Sequence, residues 1–293
     1  MKRIISLAAV AMLILSLCAC SAEKFSLKIN NISVPEEVYN YFDLVAKNDS
    51  AYKDEKDKEK TALNLCAKYA AENELIDKYK ISLSAEDKVS VASDTKSRWL
   101  YYSGFYEKNS VSKQTLNLML EHERLVDDAI IRIYSENGDK PVSEKEIKEY
   151  YGKNYVAVQM ISAALPEDEK EIEKITDNFI EMRNAVRSGE GVETAAQRYP
   201  EIAVFEGETT VISSFENSYP DGLFDNAAKM KNGETQVFRY NRAIYLIHRL
   251  DEPTENGYYS LYSRDCIIRM KKSEVEKEIN TIAQNYKIVY NKG

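Results

Sequence analysis

The sequence predicts an α+β protein with a helical first half, a module of strands and short helices after it, and a helix near the C-terminus that closes the chain. Three observations predict it. Apolar residues recur at three- and four-residue spacing from about residue 35 to residue 134. The run Gly138-Asp139-Lys140-Pro141 then breaks the helical pattern. Beyond it, apolar strand-like runs alternate with short helical patterns to about residue 250, and a last helical stretch covers 273–286.

The chain begins with Met1-Lys2-Arg3 and an apolar run from Ile4 to Leu17, the layout of an export signal. A helix of roughly 14 residues reaches only about 21 Å, against a hydrocarbon core of about 30 Å, so removal of the segment is expected rather than membrane spanning. The segment closes with Leu17-Cys18-Ala19-Cys20-Ser21, which resembles the bacterial lipobox. That resemblance implies a signal peptide over 1–19 and a diacylglycerol thioether on Cys20. Cys18, preceded by the bulky Leu17, fits less well. Two or three acyl chains would anchor the protein stably where one holds only marginally. The expected location is therefore extracytoplasmic, lipid-anchored to the bacterial cell membrane.

Lys plus Arg number 40 against 48 Asp plus Glu, and the net charge is −8. No concentrated basic face stands out, which excludes a nucleic-acid partner. Cys66 and Cys266 are the thiols beyond the lipobox, both in apolar settings. Small buried hydrophobes is the first reading, with a disulfide left open. The only histidines, His122 and His248, lie far apart without patterned ligands, so no metal and no cofactor is expected.

Each element has its own signal. Residues 24–32 alternate, with Phe25, Leu27 and Ile29 on one side, and read as a short strand. Ser33-Val34-Pro35-Glu36-Glu37 reads as a capped helix start, followed by Val38, Tyr41, Phe42 and Val45 at helical spacing. Helices follow over 54–79, 84–106 and 112–134, each opening at Asp or Ser; their stripes include Leu63, Ala67, Ala70, Ala71 and Leu75, then Leu116, Leu120, Leu125, Ile130 and Ile133. The cluster Trp99 to Tyr106 is unusually aromatic and reads either as core packing or as an exposed cradle for unfolded chains.

After the break, Ser143-Glu144-Lys145-Glu146 caps a helix reaching Tyr150-Tyr151. A strand is expected over 155–165, a helix over 167–187, a short helix over 192–199 and irregular strands near Val204 and Val211. A short helix over 222–230 and a hairpin of 235–240 with 243–250, turning at Asn241-Arg242, complete the module. Expected boundaries are 20–142 for the helical part, 143–252 for the module and 253–293 for the returning C-terminal segment.

Three stretches of the module resemble a parvulin rotamase domain. Tyr155-Val156-Ala157-Val158-Gln159-Met160-Ile161-Ser162 is similar to the family's first strand. The glycine turn Gly189-Glu190-Gly191 with Ala195-Ala196-Gln197-Arg198-Tyr199 is similar to its second helix. Phe224-Asp225-Asn226-Ala227-Ala228 with Gly233-Glu234 is similar to the segment before the closing hairpin. The order of elements resembles the extracytoplasmic foldases of the PrsA and SurA kind, in which a helical chaperone domain closed by a C-terminal helix carries an inserted parvulin domain. That family implies peptidyl-prolyl isomerisation, binding of unfolded or newly secreted polypeptides, and about four strands in the module. It leaves the oligomeric state open.

Parvulins use two facing histidines, a Cys, Asp or Ser, and an apolar floor. Carried over, the first histidine falls on Gln159 and the second on Tyr245 or Leu246, depending on whether Arg249 or the Tyr-x-Ile pattern sets the alignment. His248 fits neither. The acidic or thiol position falls near Ala203 and the floor methionine near Pro220, while Phe215 and Phe224 keep the floor aromatics. The resemblance thus implies a weak or lost catalytic site, with Gln159, Tyr245, Phe215 and Phe224 as peptide-binding candidates. An active isomerase with a rearranged site is the alternative. A solute-binding lipoprotein is a further one, disfavoured because the helical first half offers no second α/β lobe.

Overall fold

A computed structural model describes residues 25–30, 32–49, 54–200, 205–251 and 257–291. The protein is α+β and divides into two compact units, one formed by the described residues up to Ile133 with those from Lys271, the other by Tyr134–Met270. Cys20, Ala203 and Val204 lie outside the described residues.

In the first unit the alternating stretch forms β1 (Ser26–Ile29), with Leu27 and Ile29 buried. Asn30, at φ +48°, reverses the chain, a left-handed position that Asn tolerates better than most residues. The strand β2 (Ile32–Val34) returns antiparallel, placing Val34 opposite Leu27. Ser33 therefore stands in a strand opposite Lys28, and its expected role as a helix cap is corrected. The helix α1 (Glu36–Asn48) instead starts after Pro35, whose carbonyl accepts from Val38 and Tyr39 N–H at 3.1 and 3.2 Å. Glu36 and Glu37 complement the positive end of its dipole.

Asp54 caps α2 (Glu55–Tyr79) by accepting from Lys56 N–H at 2.9 Å, and Ser84 caps α3 (Ala85–Lys108) by accepting from Asp87 N–H at 3.0 Å. Ser112 does the same for α4 (Lys113–Tyr134), accepting from Thr115 N–H at 3.0 Å. Ala62, Cys66, Ala67, Ala70 and Ala71 give α2 a buried stripe of small side chains, against which neighbouring helices can approach closely. On α4, Leu116, Met119, Leu120, Val126, Ala129 and Ile130 are buried at the expected spacing. His122 is a buried core residue: its Nε2 lies 2.8 Å from Glu72 Oε2, and its ring packs 4.3 Å from that of Tyr69.

The last helix, α9 by position in the chain (Tyr258–Ala283), begins well before the expected Ser273. Its residues from Lys271 belong to the first unit, where Val275, Ile279 and Ala283 are buried and Lys68 Nζ lies 3.4 Å from Glu276. The terminal strand β7 (Ile288–Asn291) pairs with the free edge of β1, giving the order β2-β1-β7.

In the second unit, Ser143 and Glu146 form a reciprocal capping box at the head of α5 (Glu144–Asn154). There follow β3 (Tyr155–Ala164), α6 (Glu169–Arg187), α7 (Val192–Ala196), β4 (Phe205–Ser213), α8 (Leu223–Lys229), β5 (Thr235–Arg239) and β6 (Ala243–Arg249). The four strands form an antiparallel sheet in the order β4-β3-β6-β5. The irregular strands expected near Val211 are one strand, β4, bulged where Met160 pairs with Glu208 and Ile161 with Glu206. Gly207 is the extra residue, at φ +90°, and a Cβ there would meet the Glu193 backbone nitrogen at 2.8 Å. Only glycine lets β4 bulge while α7 lies this close.

Helices cover both sheet faces, which is why β3 reads as a continuous apolar run. Ile161, Ala163, Ile244 and Leu246 pack under α6 and α7 with Phe179, Met182 and Ala195. Val156, Val158, Met160, Ile212 and Ile247 pack under α8 with Leu223 and Ala227. The early start of α9 has its cause here. Tyr259 and Tyr262 meet the Tyr151 ring, Tyr262 also meets Tyr155, and Cys266 is buried, so apolar side chains fasten Tyr258–Met270 to this unit.

Candidate functional site

Strand alternation decides which candidates can meet. On β3, even-numbered Val156, Val158 and Met160 face α8, so Gln159 stands on the opposite face with Ile161 and Ala163. Tyr245 faces α8, whereas Leu246 is fully buried beneath α6 and α7. The structure therefore brings Tyr245 together with Phe224 but leaves Gln159 on the other side of the sheet, and the expected pairing of Gln159 with Tyr245 is corrected. Gln159 does share a face with Leu246, which has no exposed surface to offer a ligand.

The α8 face is lined mostly by carbon. Val158 and Met160 are the β3 side chains there, 0% and 1% exposed, with Ile247 beside them. The polar groups at its margin include the phenols Tyr219, Tyr240 and Tyr245, the Thr210 hydroxyl and the Asn226 amide, which donates to the Tyr240 hydroxyl at 3.2 Å. Burial pushes the Tyr245 hydroxyl pKa up, with Tyr240 adding to it; burial and then Glu216 do the same for Tyr219. These phenols remain protonated at neutral pH and can donate a hydrogen bond. Arg249 ties β6 to the end of α8, donating to the Ala228 carbonyl at 2.7 Å and to that of Met230. This bracket keeps Tyr245 and Phe224 on facing elements.

Phe224 and Pro220 line a hollow of about 170 Å³ with Tyr219, Ser214, Glu216 and Asp221. Phe215 is outside that lining. Its ring lies 4.4 Å from the Arg269 guanidinium carbon, with Tyr150 stacked at 6.4 Å and Tyr155 edge-on at 6.1 Å. Arg269 is itself held by Asp265 at 2.8 Å, and Asp265 also accepts from the Tyr155 hydroxyl. Phe215 thus anchors the start of α9, and of the two floor aromatics Phe224 alone lines the hollow.

Residues Trp99 to Tyr106 divide between the two roles expected for them. Trp99 and Tyr106 stack at 6.0 Å and pack on Val91, Leu116 and Leu120. Leu100, Tyr101, Tyr102 and Phe105 face outward, 74%, 77%, 59% and 47% exposed. Tyr101 and Tyr102 each stand on the same helix face as Phe105, so these side chains form a continuous stripe.

Neither a family model nor a curated protein matches the chain. Among solved structures it is similar to the foldase protein PrsA of Streptococcus pneumoniae, 14% identical over 86% of this chain and 90% of that one, with a TM-score of 0.46. It is similar to PrsA of Bacillus subtilis, 17% identical over 78% and 85%, TM-score 0.42. A SurA-like chaperone structure from Campylobacter jejuni is 9% identical over 92% and 100%, TM-score 0.34.

His248 is the residue that sequence reasoning set aside. It stands directly across from Gln159, and burial lowers its pKa, leaving the imidazole neutral at pH 7. Only the β3–β6 register, invisible in the sequence, joins these two residues. Among the described residues no cluster of His, Cys, Asp and Glu is arranged to hold a metal, and no helix is long and apolar enough to cross a membrane.

Proposed function

We propose that the protein is an extracytoplasmic chaperone, anchored to the membrane through lipid on Cys20, that holds unfolded exported polypeptides. Its parvulin-like unit contributes little or no peptidyl-prolyl isomerisation. The observation carrying this reading is the α3 stripe, in which Tyr101, Tyr102 and Phe105 stay in water, with Leu100 also exposed on the same helix, whose buried residues are only Val91 and Thr95. Contiguous exposed apolar surface of this kind marks an interaction site, whereas scattered single residues do not. Tethering would concentrate the binder where its clients emerge.

The weak-isomerase part follows from the α8 face. Lowering a barrier of about 18 to 20 kcal/mol requires groups that favour the twisted amide over the planar one, and hydrogen-bonding side chains supply that preference. Val158, Met160 and Ile247 supply none, which leaves the margin of the face, where Tyr240 and Thr210 stand beside the phenols of Tyr219 and Tyr245. Those two phenols beside Phe224 favour a second reading, an isomerase of low activity built on tyrosines.

Aggregation of a chemically unfolded client, followed by light scattering, tests the chaperone reading. The mature protein should suppress it, and the variant Leu100→Ser/Tyr101→Ser/Phe105→Ser should lose most of that suppression. Its melting temperature should stay near wild type, since exposed substitutions change stability by about 0.5 kcal/mol or less. Full suppression by the variant would contradict the assignment of the stripe, and no suppression by the parent chain would contradict the function itself.

A further inference from the structure

One polar row crosses the sheet face that α6 and α7 otherwise bury. Thr209, Gln159, His248 and Thr235 stand opposite one another on β4, β3, β6 and β5 in turn. The next layer on this face, Ile161, Leu246 and Val237, is apolar. The row is braced at one end. Thr235 is 2% exposed, its Oγ1 lies 2.9 Å from His248 Nδ1, and Arg187 donates to its carbonyl at 3.1 and 2.8 Å.

With Nδ1 engaged by Thr235, the neutral imidazole presents one hydrogen-bonding function at Nε2. The Gln159 carboxamide presents two donors and an acceptor, the complement of a peptide amide. Neither His248 Nε2 nor the Gln159 carboxamide has a protein hydrogen-bond partner among the described residues, although both side chains are half-buried. From Thr209 to His248 the row spans two interstrand steps, about 9 to 10 Å, or about three residues of extended chain.

We propose that this row is a hydrogen-bonding platform for the backbone of an extended polypeptide, with Gln159 pairing to one peptide amide and His248 Nε2 to the next. It rests on the reading that the protein binds unfolded chains, and it places one contact on the face away from α8.

The test uses the full mature chain, isotope-labelled, with a short unfolded peptide of Ala, Ser, Thr and Pro as probe, followed by nuclear magnetic resonance. The Gln159 side-chain amide and His248 ring signals should shift on titration. Gln159→Met, which keeps the side chain's length, should weaken binding to this unit about tenfold, the loss of one or two hydrogen bonds. His248→Asn should do likewise. Shifts confined to the α8 face, with Gln159→Met silent, would overturn the platform and leave polypeptide binding intact. Absence of any shift across the whole chain would overturn both.

Discussion

Replacing Gly207 by alanine tests the architecture on which the sheet faces depend. The residue holds φ +90°, which side chains rarely adopt, and that alone costs about 1 to 3 kcal/mol. The new methyl would also lie 2.8 to 2.9 Å from Glu193 N, Glu193 Cα and Val192 C, all backbone atoms of α7 that cannot rotate aside. Overpacking of this kind adds about 1 to 3 kcal/mol. The sum, about 2 to 6 kcal/mol, is a large part of the 5 to 15 kcal/mol of a typical domain. With a urea slope of about 1 to 3 kcal/mol per molar, the transition of this unit should move down by at least about 0.7 M. The only tryptophan, Trp99, is in the other unit, so amide hydrogen exchange of β3 and β4 as a function of urea is the suitable readout. Gly104→Ala supplies the contrast. It lies in α3 with nothing within 4 Å of the added methyl, and should stabilise by about 0.5 to 1 kcal/mol. Equal midpoints for Gly207→Ala and wild type would refute the bulge and, with it, the assignment of β4 residues to faces.

Three further outcomes are expected. Burial holds the His248 pKa below its unfolded value, so its contribution is complete above about pH 6.5 and is lost as the pH falls through the folded value. Urea midpoints of the Tyr134–Met270 unit should fall between pH 7 and 5, and His248→Gln should flatten that fall. The Asp87 carboxyl is held below the usual range first by the Ser84 hydroxyl and then by Arg124, whose Nε is 2.8 Å away. Its contribution is present above the unfolded carboxylate value and vanishes in acid, and Asp87→Asn should destabilise the first unit at pH 7 by up to about 1 kcal/mol, measured by thermal melting. Burial pushes both the Cys66 and Cys266 thiols up to about 12, and both are free. Iodoacetamide at pH 8 should leave the native protein unlabelled at these positions and modify both in urea, as read by mass spectrometry; rapid native labelling of either would contradict its burial.

Much of the fold was written in local signals. Asp54, Ser84, Ser112 and Ser143 each cap the helix they were expected to open, because a short oxygen-bearing side chain ahead of a periodic stretch has few other uses. Ser33 misled because the same chemistry can sit in a strand, and the turn signal was Asn30 before it. The start of α9 was missed for another reason. Tyr259, Tyr262 and Cys266 gain their helix from contacts with Tyr151 and Tyr155, over a hundred positions away in the chain. The site was legible only in composition. That Gln159, Tyr245 and Leu246 stand where histidines were expected could be read directly, but the face on which Gln159 stands depends on register, and a shift of one residue exchanges the faces. Phe215 shows the same limit: an aromatic expected on the floor of a site holds α9 instead.

The central claim is that this chain protects unfolded polypeptides without accelerating proline isomerisation, and proline-limited refolding of a model substrate measures both at once. With the protein present, the recovered yield should rise while the rate of the slow phase stays at its uncatalysed value. A slow phase accelerated in proportion to protein concentration, and returned to the uncatalysed rate by Phe224→Ala, would contradict the account and establish an isomerase built on the α8 face.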